Sequence, residues 1–554
     1  MRFGRRSCAF LGALVAAVTA VVLPAAPASA HAAVVAANPL QSAVLGYSPT
    51  AVTVTFSEPI SLIPGRTLVL APDGKRILDG DPVVEGTTLK IPIRVADRPL
   101  GTYVISYRVV SADSHPIAGG YTFSVGAPSA TAPTAPSDDV HRSVEAAIPV
   151  AKYIGYLGLV LLIGPAMLLA LLWPRRMSRT GPTRLVRVGA LAVAVATLAG
   201  LWLQAPYSSG ASAVNVSVTE LRQVLASTYG VALSVRLAVL VALAVLLPPV
   251  LAGRTGRARG SAVVLLGIAG LATWPLSGHA GASPLPPISV LSAVVHIAAM
   301  SVWLGGLVTL IAFLLPKAHP RVLGVILPVW SRWATVAVVW LVGGGVVQAL
   351  IEVRSAGQLV GTDYGRFLLA KTGLLAALLG AAAVAHRMVR RRTAVSADGP
   401  RLLRRTVGFE AATAAVVLAV SAMLVQTTPA RSADVQAAAA AKWKGVAQTL
   451  TTDLFTLQYD IYPVQLGENN TVHAYIYTAA GKPIPAAEWK LTAAQPTAGI
   501  EPVTTLMLGL EPHHGTGAVT FPVPGEWEIK FTVRISDIDQ ATVATTVSVP
   551  AAAP

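Results

Sequence analysis

Two hydrophobic rhythms alternate along the chain. From residue 148 to 426 apolar residues come in eight long runs, near 148–173, 184–204, 229–252, 261–277, 288–315, 328–351, 366–386 and 406–426. Each is long enough to cross a ~30 Å hydrocarbon core as a helix. Before and after this region the pattern has a period of two. AVTVTFSEPI, TLVLAPDG, TLKIPI, GTYVISYRVV and GGYTFSVG alternate apolar and polar residues between Pro and Gly, which predicts a β-sandwich over 31–126. LFTLQYDIYP, NTVHAYIYTAAG, AEWKLTAA, GAVTFPVPGEWEIKFTVRI and ATVATTVSVP predict a second one over 449–554. Stretches rich in Pro, Ala, Ser and Thr, at 127–147 and 427–448, read as linkers. The expected fold is therefore a multidomain membrane protein, with an eight-helix transmembrane bundle between two all-β sandwiches.

Composition supports this picture. Of 554 residues, 54% are hydrophobic and only 12% charged, unlike a soluble multidomain chain. The net charge of +16 does not point to nucleic acid, because the arginines fall in alternate connections between the apolar runs. Arg175, Arg176 and Arg179, then Arg254, Arg257 and Arg259, then Lys317 and Arg321, then Arg387 to Arg405 mark one side. The other connections carry little beyond Arg222 and Arg354. Basic connections stay cytoplasmic, so both β regions are expected outside the plasma (inner) membrane.

The first 30 residues have a basic start, an apolar stretch and an Ala-Ser-Ala ending, the pattern of a cleaved secretory signal peptide. Sec export fits it better than the twin-arginine route that GRRSCAFLG weakly suggests. Cleavage after Ala30 would make His31 the new first residue, offering an α-amine and an imidazole to one ion. The single cysteine, Cys8, lies in the leader, so thiolate sites and disulfides are not expected in the mature chain.

In SADSHPIAGG (111–120), Asp113 and His115 are two apart, which places both on one face of an extended segment. Pro116 and the glycines would then force a turn. A turn cap beside a surface His is the plainer reading. With His31, however, the pair makes a set of three nitrogens and one oxygen, which suits tetragonal Cu(II) better than tetrahedral zinc. Within the apolar runs, His279 lies in SGHAG, and His296, Met300 and Trp303 share a helix face at i, i+4, i+7. An imidazole and a thioether there could pass copper inward as Cu(I), although a His bonded to a neighbouring helix is nearly as plain an explanation. A redox protein holding b-type haem between His279, His296 and His386 is the alternative from another class, and a copper sensor or scaffold without transport is a third. His386, beside Arg387 and Arg390, reads as interfacial; Gly305 and Gly306 permit close helix approach. Met507, His513 and His514 in MLGLEPHHG form a weaker soft-metal candidate. The chain contains no G-x-x-x-x-G-K-[ST] loop, and it is not expected to be an enzyme.

Three motifs, H-A-x-V…N-P (31–39), F-S-E-P-I (56–60) and V-S-A-D-S-H-P-I-A-G-G-Y-T-F-S-V (110–125), resemble the CopC copper resistance family. That resemblance implies Cu(II) ligation by His31, Asp113 and His115, with Glu58 as an outer partner. Some CopC proteins also have a Met-rich Cu(I) site, which is not expected here because 31–126 contains no Met. S-G-H-A (277–280), H-I-A-A-M-S-V-W-L-G-G-L (296–307) and Y-G-R-F-L-L-A-K (364–371) resemble the CopD membrane family, although A-H-R at 385–387 departs from its usual Asn-Arg. The P-G-E-W-E-I-K-F-T-V-R run is similar to FixH/YtkA-like domains. Together the resemblances imply copper capture outside the membrane and copper transport across it, in the direction of import. The partners implied are copper ions, the lipid bilayer and an unknown copper chaperone.

Overall fold

The computed structural model describes residues 33–551, apart from 40, 42, 46–47, 95–99, 126–128, 130–139, 255, 391–398, 433–444 and 479–481. The leader and His31 lie outside the described residues. The chain divides into two compact units. One consists of residues 139–433 together with the five residues 112–116; the other takes in 32–111, 117–138 and 434–554.

In the first unit, the apolar runs form α1 (Arg142–Leu171), α2 (Thr180–Ser209), α4 (Thr228–Leu251), α5 (Arg257–Leu276), α6 (Pro286–Lys317), α7 (Pro320–Glu352) and α9 (Asp363–Arg390). Two short helices, α3 (Val218–Ala226) and α8 (Ala356–Gly361), lie in the connections. Among the described residues, seven helices are long and apolar enough to cross a membrane. The eighth run forms α10 (Gly399–Leu424), whose described apolar part is the shorter Gly408–Leu424. The first helix starts ahead of its apolar run because His141 caps it, its Nδ1 accepting from the Ser143 N–H at 3.2 Å. Helix α6 carries a π-helical stretch at Leu310–Leu314, an irregularity often found at functional sites.

Glycines let two helices approach closely. A Cβ on Gly164 of α1 would lie 2.5 Å from the Gly305 Cα of α6, so the two backbones touch where side chains would hold them apart. A Cβ on Gly306 would enter the Trp330 ring. Both glycines therefore do what the sequence assigned to them.

The second unit contains the two β regions. In the first, β1 (Val34–Asn38), β3 (Ala51–Phe56), β7 (Thr88–Pro92) and β6 (Val83–Glu85) form one sheet, in the order β1-β3-β7-β6. The other contains β2 (Val44–Leu45), β9 (Pro116–Val125), β8 (Gly101–Ser111) and β4 (Ile60–Leu62), with β5 (Leu68–Leu70) also paired to β8. Val52, Val54 and Phe56 alternate inward along β3, as the period of two requires. In the C-terminal region, β10 (Val446–Thr451), β11 (Thr456–Tyr462), β12 (Gly467–Tyr477), β16 (His514–Phe521) and β15 (Met507–Glu511) form one sheet. A second joins β14 (Ile500–Thr505), β13 (Glu488–Gln495), β17 (Gly525–Arg534) and β18 (Gln540–Val549). Leu457, Tyr459 and Ile476 of one share a core with Leu491, Ile529 and Phe531 of the other.

Candidate metal centre

The turn between β8 and β9 is tighter and earlier than its Pro and Gly residues suggest. It spans residues 112–115, while Pro116 and both glycines already belong to β9. Ser114 makes the reversal by taking a left-handed φ of 74°, and the Asp113 Oδ1 accepts from the His115 N–H at 3.3 Å. Gly120 stays in the strand because a Cβ there would lie 2.6 Å from the Ile105 carbonyl oxygen. Asp113 and His115 therefore converge through a turn rather than through strand alternation.

These five residues pack with the helices. The Gln204 Nε2 of α2 donates to the Ser114 carbonyl at 2.7 Å. His279, in the connection between α5 and α6, has its Nδ1 2.9 Å from the Asp113 Oδ2. The His115 Nδ1 lies 3.2 Å from the other carboxylate oxygen, and the rings of His115 and His279 stack with centroids 5.1 Å apart. Asp113 is 2% exposed and His115 5%. Taking one ligand atom from each, Asp113, His115 and His279 offer three donors within 4.8 Å of one another.

Polar neighbours orient this triad. The Lys152 Nζ donates to the Gln426 Oε1 at 2.9 Å, so that oxygen accepts, and the His115 Nε2 lies 3.0 Å from the same atom. Donation from the His115 Nε2 to this oxygen places the ring's other nitrogen, Nδ1, on the Asp113 side. Burial holds the His279 pKa below its usual value, outweighing the opposing pull of Asp113. A buried carboxylate flanked by two imidazoles is a ready cation site. Asp113 and His115 themselves line a cavity of about 80 Å3, together with Lys152, Tyr156, Gln204, Arg236 and Trp274. Gln426→Leu should lower Cu(II) affinity by ~10–100-fold without changing the fold, the usual effect of losing an outer partner that orients a ligand; a competition titration checks it.

The other candidates fall elsewhere. Glu58 lies in the turn between β3 and β4. The His296 Nδ1 is 2.7 Å from the Leu341 carbonyl oxygen, and Met300 and Trp303 pack in the bundle core. His296 is thus not in the group that contains His279. His386 bonds to the Ser331 hydroxyl at 2.7 Å. The register pairs Met507 with Gly517, three residues along β16 from His514. Sequence reasoning missed Lys152, Gln204 and Gln426; Lys152, a charged residue inside an apolar run, carries the signal that could have found it.

Residues 34–126 match the family model of the CopC domain. Residues 143–284 match the copper resistance protein D-like N-terminal domain, and 324–424 match copper resistance protein D. CopC and CopD family domains occur together in this one chain. Copper transport protein CutJ of Bacillus subtilis (strain 168) is 25% identical over 382 residues, 66% of this chain and 70% of that protein. CopC from Methylosinus trichosporium OB3b is 25% identical and covers 17% of this chain and 93% of its own, with a TM-score of 0.15. PcoC, a methionine-rich copper resistance protein from Escherichia coli, is 26% identical over 17% of this chain and 99% of its own, with a TM-score of 0.15. Asp113 and His115 thus come from the CopC match, and His279 from the D-like N-terminal match. The CopD matches and CutJ mark a multi-pass membrane protein.

Proposed function

We propose that the chain captures Cu(II) outside the plasma membrane and imports copper through its helical bundle. In this reading an eight-span bundle stands between two extracytoplasmic β-sandwiches, the second of them FixH/YtkA-like. Asp113, His115 and His279 hold the ion, and the amine and imidazole of His31 complete the set once the leader is cut. The convergence of Asp113 and His115 with His279 carries the proposal. It brings ligands from the CopC match into the helical unit, so one ion touches both the capturing and the conducting parts. The chain acts on copper as cargo and has no enzymatic role in this reading.

Copper accumulation in a deletion strain complemented with variants tests it. His279→Ala should fall to the empty-strain level. His296→Ala should reduce accumulation while leaving Cu(II) affinity intact, as a residue of the conducting bundle would. A deletion strain richer in copper than its parent would overturn import, and wild-type accumulation with His279→Ala would remove the site from the pathway.

A further inference from the structure

In the C-terminal region a second group of imidazoles lies across two neighbouring strands. The register sets Tyr475 of β12 opposite His514 of β16, and His473 opposite Thr516. His473 and His514 are thus diagonal neighbours on one face of the sheet. The His473 Nδ1 and the His514 Nε2 are 3.0 Å apart. Two imidazole nitrogens each ~2.0 Å from one ion would be about 2.8 Å apart at a right angle and about 3.3 Å apart at the tetrahedral angle. The observed separation falls between these values, so both could bind one cation with little movement.

The surroundings hold this geometry. The Tyr475 ring stacks on His514 with centroids 4.2 Å apart, and lies 6.4 Å from the ring of His513. His513 packs edge-on to Tyr477 at 5.9 Å, and its Nε2 is buried without a hydrogen bond. Burial lowers the pKa of His473, and lowers that of His514 to about 4, so both rings are neutral near pH 7. In the metal-free pair one facing nitrogen carries the proton and the other accepts it. For both to bind an ion, that proton moves to the far nitrogen of its own ring, with no net release.

We propose that His473 and His514 form a second site for a late first-row transition-metal ion, with copper as the occupant. Imidazole donors suit copper and zinc, and copper stands higher in the affinity order; the choice of ion rests on the copper-handling reading above. Met507, three residues away along the strand pair, is not part of it.

The test uses the full-length protein in detergent, dialysed against Cu(II), with copper per chain counted and imidazole nitrogen couplings read by pulsed EPR. The parent is a variant carrying Asp113→Asn, His115→Ala and His279→Ala. His473→Gln and His514→Gln together should remove one copper from this parent along with its imidazole couplings, whereas Met507→Leu should remove none. Gln keeps a hydrogen-bonding side chain at each position, and matched thermal melts confirm an intact fold. An unchanged copper count in the folded Gln variant overturns the proposal. Failure of the first site reads differently, as a parent that binds as much copper as the wild type.

Discussion

Asp113→Asn is expected to weaken Cu(II) binding by the full-length protein more than the ~100-fold that marks the upper range for outer-partner losses. The carboxylate touches both imidazoles, with its two oxygens divided between His115 and His279. An amide of the same shape keeps one acceptor but loses the charge that draws in the cation. It also presents an NH2 group, a donor, toward a ring nitrogen. Affinity is measured by competition with a chromophoric Cu(II) chelator, with thermal melts to show that the fold persists. A change of less than tenfold would mean that Asp113 is not a ligand.

The parts of this centre differ in how far the sequence could reveal them. The helices could be read because a membrane span is a property of composition over a window, and all eight apolar runs fall on helices. Asp113 and His115 could be read because they are two residues apart in a recognisable motif. His279 was visible as a polar residue near a span, but nothing local ties it to Asp113, 166 positions away. Helical periodicity ties His296 to Met300 and Trp303, but it offers no such link for His279. Gln426 drew no notice because a neutral amide at the end of a span leaves no charge signal. The turn was misplaced because Pro116 and the glycines are the louder local cues, while the reversal depends on the left-handed backbone of Ser114.

Gly305→Leu should destabilise the folded bundle by about 3 kcal/mol, the upper end of ordinary overpacking. Its Cβ would meet the Gly164 Cα at 2.8 Å and the Gly164 N at 3.0 Å. The Val160 carbonyl also stands in the way. These are backbone atoms, so relief requires α1 and α6 to separate rather than a side chain to rotate. Gly343→Leu is the control: a Cβ there meets nothing within 4 Å, and its effect should stay within about 0.5 kcal/mol. Unfolding in mixed micelles compares the two, and equal stabilities would show that the glycine contact does not set the helix spacing.

The separation of 166 positions between Asp113 and His279 also has a consequence for biosynthesis. During synthesis the β8–β9 turn leaves the ribosome long before its partner, and the chain between them must lay down four long helices, α1, α2, α4 and α5, before the loop can close. Closure of so long a loop is entropically unfavourable until the packed helices hold its ends together. The three-donor centre is therefore a late-maturing feature. Nascent chains that have not yet inserted these four helices lack it, and a closed three-donor centre is a record that they have packed around it.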